Sequence, residues 1–143
     1  MKRIKDLKTR CGGVHGISRG ASVLESAHKF IEADVSALVV YDGEKFVGIF
    51  TKNDLVRCCG THQEGIRGIK VEQFMKRNPY TADIHANLDD VIKVMIEKGF
   101  RHVPVLEEGR PVGMVTPIDI LAYQKELLSG DRDQLMRYIH GSY

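Results

Sequence analysis

The residues best suited to chemistry in this chain occur twice. The string Gly48-Ile-Phe-Thr51-Lys-Asn-Asp54 returns 65 residues later as Gly113-Met-Val-Thr116-Pro-Ile-Asp119. Thr followed by Asp at the third position has a purely structural use, as a capping box: the threonine caps a helix N-terminus and the aspartate faces back to the cap N–H. The same arrangement can hold a ligand. A helix N-terminus offers free backbone N–H groups and the positive end of the helix dipole, both favourable to phosphate, while an aspartate accepts from two vicinal hydroxyls. A ribose phosphate satisfies both groups. The glycine ahead of the apolar pair lets a ligand approach the backbone, and flanking Val and Leu side chains form a slot for a flat base. Cap and ribose site can be the same residues.

Other chemistry is thinly represented. His15, His28, His62, His85, His102 and His140 are scattered without the H-x-x-x-H or H-E-x-x-H spacing of a metal site, so no metal is expected. No G-x-S-x-G, Walker A or G-x-G-x-x-G string supplies an activated nucleophile, and the chain reads as a non-enzyme. Cys11 and the adjacent Cys58-Cys59 fit neither a disulfide framework nor a C-x-x-C knuckle, which suits a reduced cytoplasm. They are read as structural, the alternative being a redox-sensing vicinal pair. Lys76-Arg77 reads as a solvated linker pair or a phosphate contact, and Tyr80 either stacks on a base or lies partly in the core.

The elements that position these residues repeat with them. Residues 21–56 align without a gap on residues 86–121, keeping Ala21/Ala86, Ile31/Ile96, Glu32/Glu97, Val40/Val105, Val47/Val112, Gly48/Gly113, Thr51/Thr116 and Asp54/Asp119 identical. Ser22-Val-Leu-Glu25 reads as a capping box, and Val23, Ala27, Phe30 and Ile31 share one face of a helix over 22–33. Two antiparallel strands follow, over 35–41 and 45–51, with a turn at Asp42-Gly43 and a short helix over 52–59. In the second copy Asn87 caps a helix that buries Leu88, Val91, Ile92, Met95 and Ile96, with Gly99 closing it. Strands are expected over 102–106 and 111–116, and Pro117 opens the next helix at a position that tolerates its missing N–H.

Polar, glycine-rich residues 60–68 separate the copies, and residues 71–77 resemble residues 4–10 at an offset of 67, so each copy carries its own leading segment. Leu135, Met136 and Ile139 predict a final amphipathic helix. The division is therefore a first repeat over 1–68, a second over 69–128 and a helical tail over 129–143. A unit of about 60 residues buries little surface by itself, so the two are expected to share a core about a pseudo-two-fold axis, with equivalent clefts on either side.

Composition excludes several alternatives. The 143 residues are 43% hydrophobic and 28% charged, as in a soluble globular protein. Lys plus Arg number 21 against 19 Asp plus Glu, a balance of +2 that is too small to hold a polyphosphate backbone unless Lys2, Arg3, Lys5, Lys8 and Arg10 form one patch. No nucleic-acid partner is expected. The longest apolar runs fall far short of the roughly 18 residues of a membrane span, and the basic N-terminus lacks the apolar stretch of a secretory signal.

Two tandem helix-strand-strand-helix units with G-h-h-T-x-x-D in each, together with Gly99-Phe-Arg-His-Val-Pro-Val105, resemble a pair of cystathionine beta-synthase (CBS) domains, or Bateman module. The resemblance covers residues 1–128, and Leu135-Met-Arg-Tyr-Ile139 is similar to the end of small free-standing bacterial members. It implies an α+β fold of two CBS repeats with pseudo-two-fold symmetry, and a regulatory homodimer that binds AMP, ADP, ATP, NAD(H) or S-adenosylmethionine and signals to an effector protein. Carried over, Asp54 and Asp119 would bond ribose hydroxyls, with Thr51 and Thr116 near ribose or phosphate. Arg101 and His102 would meet phosphate in one cleft or the other. His15, Ile17, Ser36 and Leu38 would frame the base in repeat 1, and Tyr80, Thr81, Ala82, His102 and Pro104 in repeat 2. Both copies depart from the frequent T-E-R-D form, having Lys52-Asn53 and Pro117-Ile118 in its middle, and so lack its arginine. The rival reading is a structural or protein-interaction dimer in which both motifs are only caps.

Overall fold

The computed structural model describes residues 2–7 and 14–129. Two like halves fold in the same order. The first contains β1 (Gly16–Ser18), α1 (Val23–Ala33), β2 (Ala37–Asp42), β3 (Lys45–Thr51) and α2 (Lys52–Thr61). After β4 (Lys76–Arg77), the second contains β5 (Ala82–Asp83), α3 (Leu88–Lys98), β6 (Val103–Glu107), β7 (Arg110–Val115) and α4 (Pro117–Ser129). The expected tail helix, and Cys11, lie outside the described residues.

Local chemistry sets the helix ends. Ser22 Oγ accepts from the Glu25 N–H at 3.1 Å and Asn87 Oδ1 from the Asp89 N–H at 2.9 Å, each satisfying a donor that the first turn leaves unpaired. α1 closes at Asp34 and α3 at Gly99, both left-handed. Pro117 is the first residue of α4, where no N–H is needed.

The sheets are β1-β2-β3-β4 and β5-β6-β7. β2 and β3 are antiparallel, as are β6 and β7, and each hairpin bulges at the same point of the repeat, Val40/Tyr41 and Val105/Leu106. β1 and β5 add parallel strands beside β2 and β6. These two are only three and two residues long, too short for a period-two pattern to announce them.

Each half has its own core. Ile17, Val23, Phe30, Leu38, Val40, Phe50 and Cys58 pack in the first, and Ala82, Leu88, Val91, Met95, Val103, Val105, Val115 and Tyr123 in the second. A third, smaller cluster joins Val39 and Ile49 to Met114. Among the described residues the halves meet in this bridging cluster and through their leading segments, rather than in one common core. The helix faces also correct the sequence pattern: Ile31 is 78% and Ile96 74% exposed, at equivalent positions.

The leading segments are exchanged between the halves. The 3-10 turn Ile4–Asp6 hydrogen-bonds to the second half, Ile4 N–H to the Ala86 carbonyl and Lys5 N–H to that of Ile84, and Ile4 is buried in the second core. The matching turn Val71–Gln73 bonds back to the first half, Val71 N–H to the Ala21 carbonyl, and buries Val71 and Met75 there. Arg19 secures this segment through Glu72 at 2.6 Å while also reaching Asp42 at 3.1 Å. The Arg19 guanidinium holds the Glu72 carboxyl below the usual carboxylate range.

Candidate functional site

Strand β3 runs directly into α2, so Thr51 ends one and caps the other. Thr51 Oγ1 accepts from the Asp54 N–H at 3.2 Å, and Asp54 Oδ2 accepts from Thr51 N–H at 2.9 Å and from its hydroxyl at 3.0 Å. The second copy repeats the return half of the box. Asp119 Oδ2 accepts from Thr116 N–H and Oγ1–H, both at 2.9 Å. Both carboxylates are buried against the helix start, and each keeps Oδ1 outside the cap.

The surroundings of Oδ1 differ. Arg57 Nη2 donates to Asp54 Oδ1 at 2.8 Å and Lys76 Nζ lies 3.5 Å from it. Among the described residues Asp119 has no partner beyond Thr116. Lys76, read as part of a solvated linker pair or a phosphate contact, stays exposed while reaching this carboxylate. Arg57 was hidden in the sequence reading, although a cation three residues after Asp54 on one helix was the available signal.

The expected glycine role also divides. A Cβ on Gly48 would strike the Lys76 carbonyl, because β4 pairs across β3 there, Gly48 with Arg77 and Ile49 with Lys76. That space is filled by the chain itself. At Gly113 the nearest atom to such a Cβ among the described residues is Val105 Cβ at 4.0 Å, an ordinary contact distance.

His102 and Ser36 meet across the two halves, Nε2 to Oγ at 2.8 Å. Burial pushes the His102 imidazole below its ordinary value of 6.5, and the positive charges of Lys76 and Arg101 push the same way against the opposing pull of Asp54. Arg101 and His15 are exposed, and the His15 carbonyl accepts from the Val39 N–H at 2.9 Å. Ile17, Leu38, Ala82 and Pro104 are buried. Tyr80 is half-buried and stacks on Phe100 with ring centroids 5.7 Å apart; Thr81 beside it is half-buried. Cys58 is buried, with its thiol pushed up by burial, whereas Cys59 is exposed. Among the described residues no three His, Cys, Asp or Glu side chains gather as a metal site requires, and no helix is long and apolar enough to cross a membrane.

The His102 shift has a measurable consequence. With the folded-state value depressed, the unfolded chain binds the proton first, so stability is full above about 6.5 and falls as the pH drops below it. We expect His102→Asn to flatten that acid-side slope of Tm against pH; an unchanged slope would place its origin elsewhere.

Two like halves, each presenting a capped, buried aspartate at the same strand-to-helix junction, define a tandem module with a paired site. The CBS domain model matches residues 4–60 and again 71–126, and the chain belongs to the CBS domain family. YlbB of Bacillus subtilis is 32% identical over 130 residues, covering 84% of this chain and 80% of that one. MJ1225 of Methanocaldococcus jannaschii is 26% identical over 73% of this chain, which spans 37% of its length. Among solved structures, the CBS-domain containing protein ATU1752 from Agrobacterium tumefaciens aligns with a TM-score of 0.78 at 29% identity, over 86% of this chain and 99% of that one. The CBS domain pair of MJ0100, in complex with 5-methylthioadenosine and S-adenosyl-L-methionine, aligns with a TM-score of 0.72 at 26% identity, over 91% and 98%.

Proposed function

We propose that this chain is a non-catalytic regulatory module that binds adenosine-containing ligands, AMP, ADP, ATP, NAD(H) or S-adenosylmethionine, in the clefts marked by Asp54 and Asp119. The observation that carries the reading is Asp119: the residue is 5% exposed, Thr116 fixes its carboxylate through one oxygen, and among the described residues the other oxygen is left to accept ribose hydroxyls. The adenosyl ligands of the similar MJ0100 pair support the same class. The ligand acts by binding one arrangement of the halves better than another, and an effector protein in the cytoplasm receives the change. Calorimetric titration with adenosine, AMP, ATP, NADH and S-adenosylmethionine tests the reading; absence of heat and of thermal shift with all five would overturn it.

A homodimer is part of the proposal, and the exposed helix residues support it. Ile31 and Ile96 are exposed at equivalent positions of α1 and α3, and Val56 and Leu121 at equivalent positions of α2 and α4. A large apolar side chain left in water at the same place in both repeats suits burial against a second copy. We expect Ile31→Glu combined with Ile96→Glu to give a monomer by light scattering where the unaltered chain gives a dimer. The same mass for both proteins would remove this face as the interface.

A further inference from the structure

The two carboxylates are equivalent by sequence and unequal in what they meet. Asp54 Oδ1 is held by Arg57 and Lys76, while among the described residues Asp119 Oδ1 has no partner. The difference is written in the chain. At the repeat offsets already established, the position of Arg57 is occupied by Ala122 and that of Lys76 by Thr9, so neither cation has a counterpart in the second repeat. The glycines differ too, Gly48 being covered by the Lys76 carbonyl while Gly113 meets only Val105 among the described residues.

We infer that Arg57 and Lys76 form a phosphate-operated latch on the repeat-1 cleft, so that the two clefts select different ligands: repeat 2 takes the nucleoside, and repeat 1 takes only its phosphorylated form. The inference rests on the nucleotide-binding reading above. To use Asp54, ribose hydroxyls must displace a charge-assisted hydrogen bond from a carboxylate that is 1% exposed, where a lost partner is costly. An uncharged nucleoside returns nothing to the displaced cations. A phosphate does, because it gives Arg57 and Lys76 a new anion while the hydroxyls take over Asp54. Both cations can make that move, since their side chains are 62% and 52% exposed. Lys76 lies in β4, on the segment that joins the halves and pairs with β3, so opening the latch acts on the connection between the repeats.

The test isolates each cleft. In an Asp119→Ala protein, which leaves repeat 1 to be read alone, AMP is expected to bind at least about tenfold more tightly than adenosine. Adding Arg57→Ala or Lys76→Ala should bring adenosine up by about fivefold, the scale of a partly exposed ion pair, and bring AMP down, so that the ratio approaches one. In an Asp54→Ala protein the AMP-to-adenosine ratio should be near one throughout. A ratio in repeat 1 that ignores both cation substitutions, or tight adenosine binding there in their presence, would overturn the latch while leaving nucleotide binding intact. Failure of the unaltered chain to bind either ligand would overturn the underlying reading and the latch with it. Should Asp119→Ala not fold, Asp119→Asn retains a cap acceptor and serves the comparison once its residual repeat-2 affinity is measured in an Asp54→Ala background.

Discussion

Asp119→Ala is expected to weaken adenosine binding by about 100-fold. Two ribose hydroxyls donating to one ionised oxygen are each worth about 1.5 kcal/mol or more, and their joint loss corresponds to about two decades in Kd. The same substitution removes the return half of the α4 cap, because Thr116 N–H and Oγ1–H both donate to Asp119 Oδ2. That cost is about 1 kcal/mol of stability, small enough for the protein to remain folded while binding collapses. Calorimetry and thermal unfolding on the same preparation separate the two effects. Asp119→Asn keeps an acceptor for the cap and should fall between the two. Adenosine affinity within threefold of the unaltered chain would show that the carboxylate is a cap alone.

Gly48→Ala should be the more damaging of two matched substitutions, costing about 3 kcal/mol and lowering Tm by about 10 °C. The added methyl meets a backbone carbonyl of β4, which no side-chain rotation can remove. Relief requires β4 to peel from β3, and with it goes the Lys76 contact to Asp54. Gly113→Ala, at the equivalent point of the second repeat, meets only Val105 at 4.0 Å among the described residues and should change stability by less than about 1 kcal/mol. Paired denaturation curves decide the matter, and equal losses at the two glycines would refute the steric argument. Neither glycine has positive φ, so the contrast reads packing and leaves backbone strain aside.

Much of this architecture was legible because it is encoded locally. Thr51 and Asp54, or Thr116 and Asp119, lie three residues apart and meet whenever a helix begins between them, whatever the rest of the chain does. The 65-residue offset carried the same element order into both halves, down to the matched bulges in the hairpins. Gly99 and Pro117 marked a helix end and a helix start through backbone properties of their own. Periodicity went further than it should at Ile31 and Ile96. An apolar residue on the edge of a helical stripe satisfies the pattern whether it meets the core of its own half or a different surface.

What the sequence by itself determined, then, was the repeated unit, its caps and the pair of aspartates, because these depend on residues within a few positions of one another. The tertiary structure alone decided which half each leading segment joins, since Ile4 reaches Ala86 and Val71 returns to Ala21 through contacts that a repeat alignment cannot order. It also decided how two like motifs become chemically unequal, by bringing a distant cation onto one of them. Arg57 follows Asp54 by three residues on α2, but Lys76 joins it at the same carboxylate only because β4 lies beside β3, and such convergence across strands is a property of packing that no spacing within one motif can state.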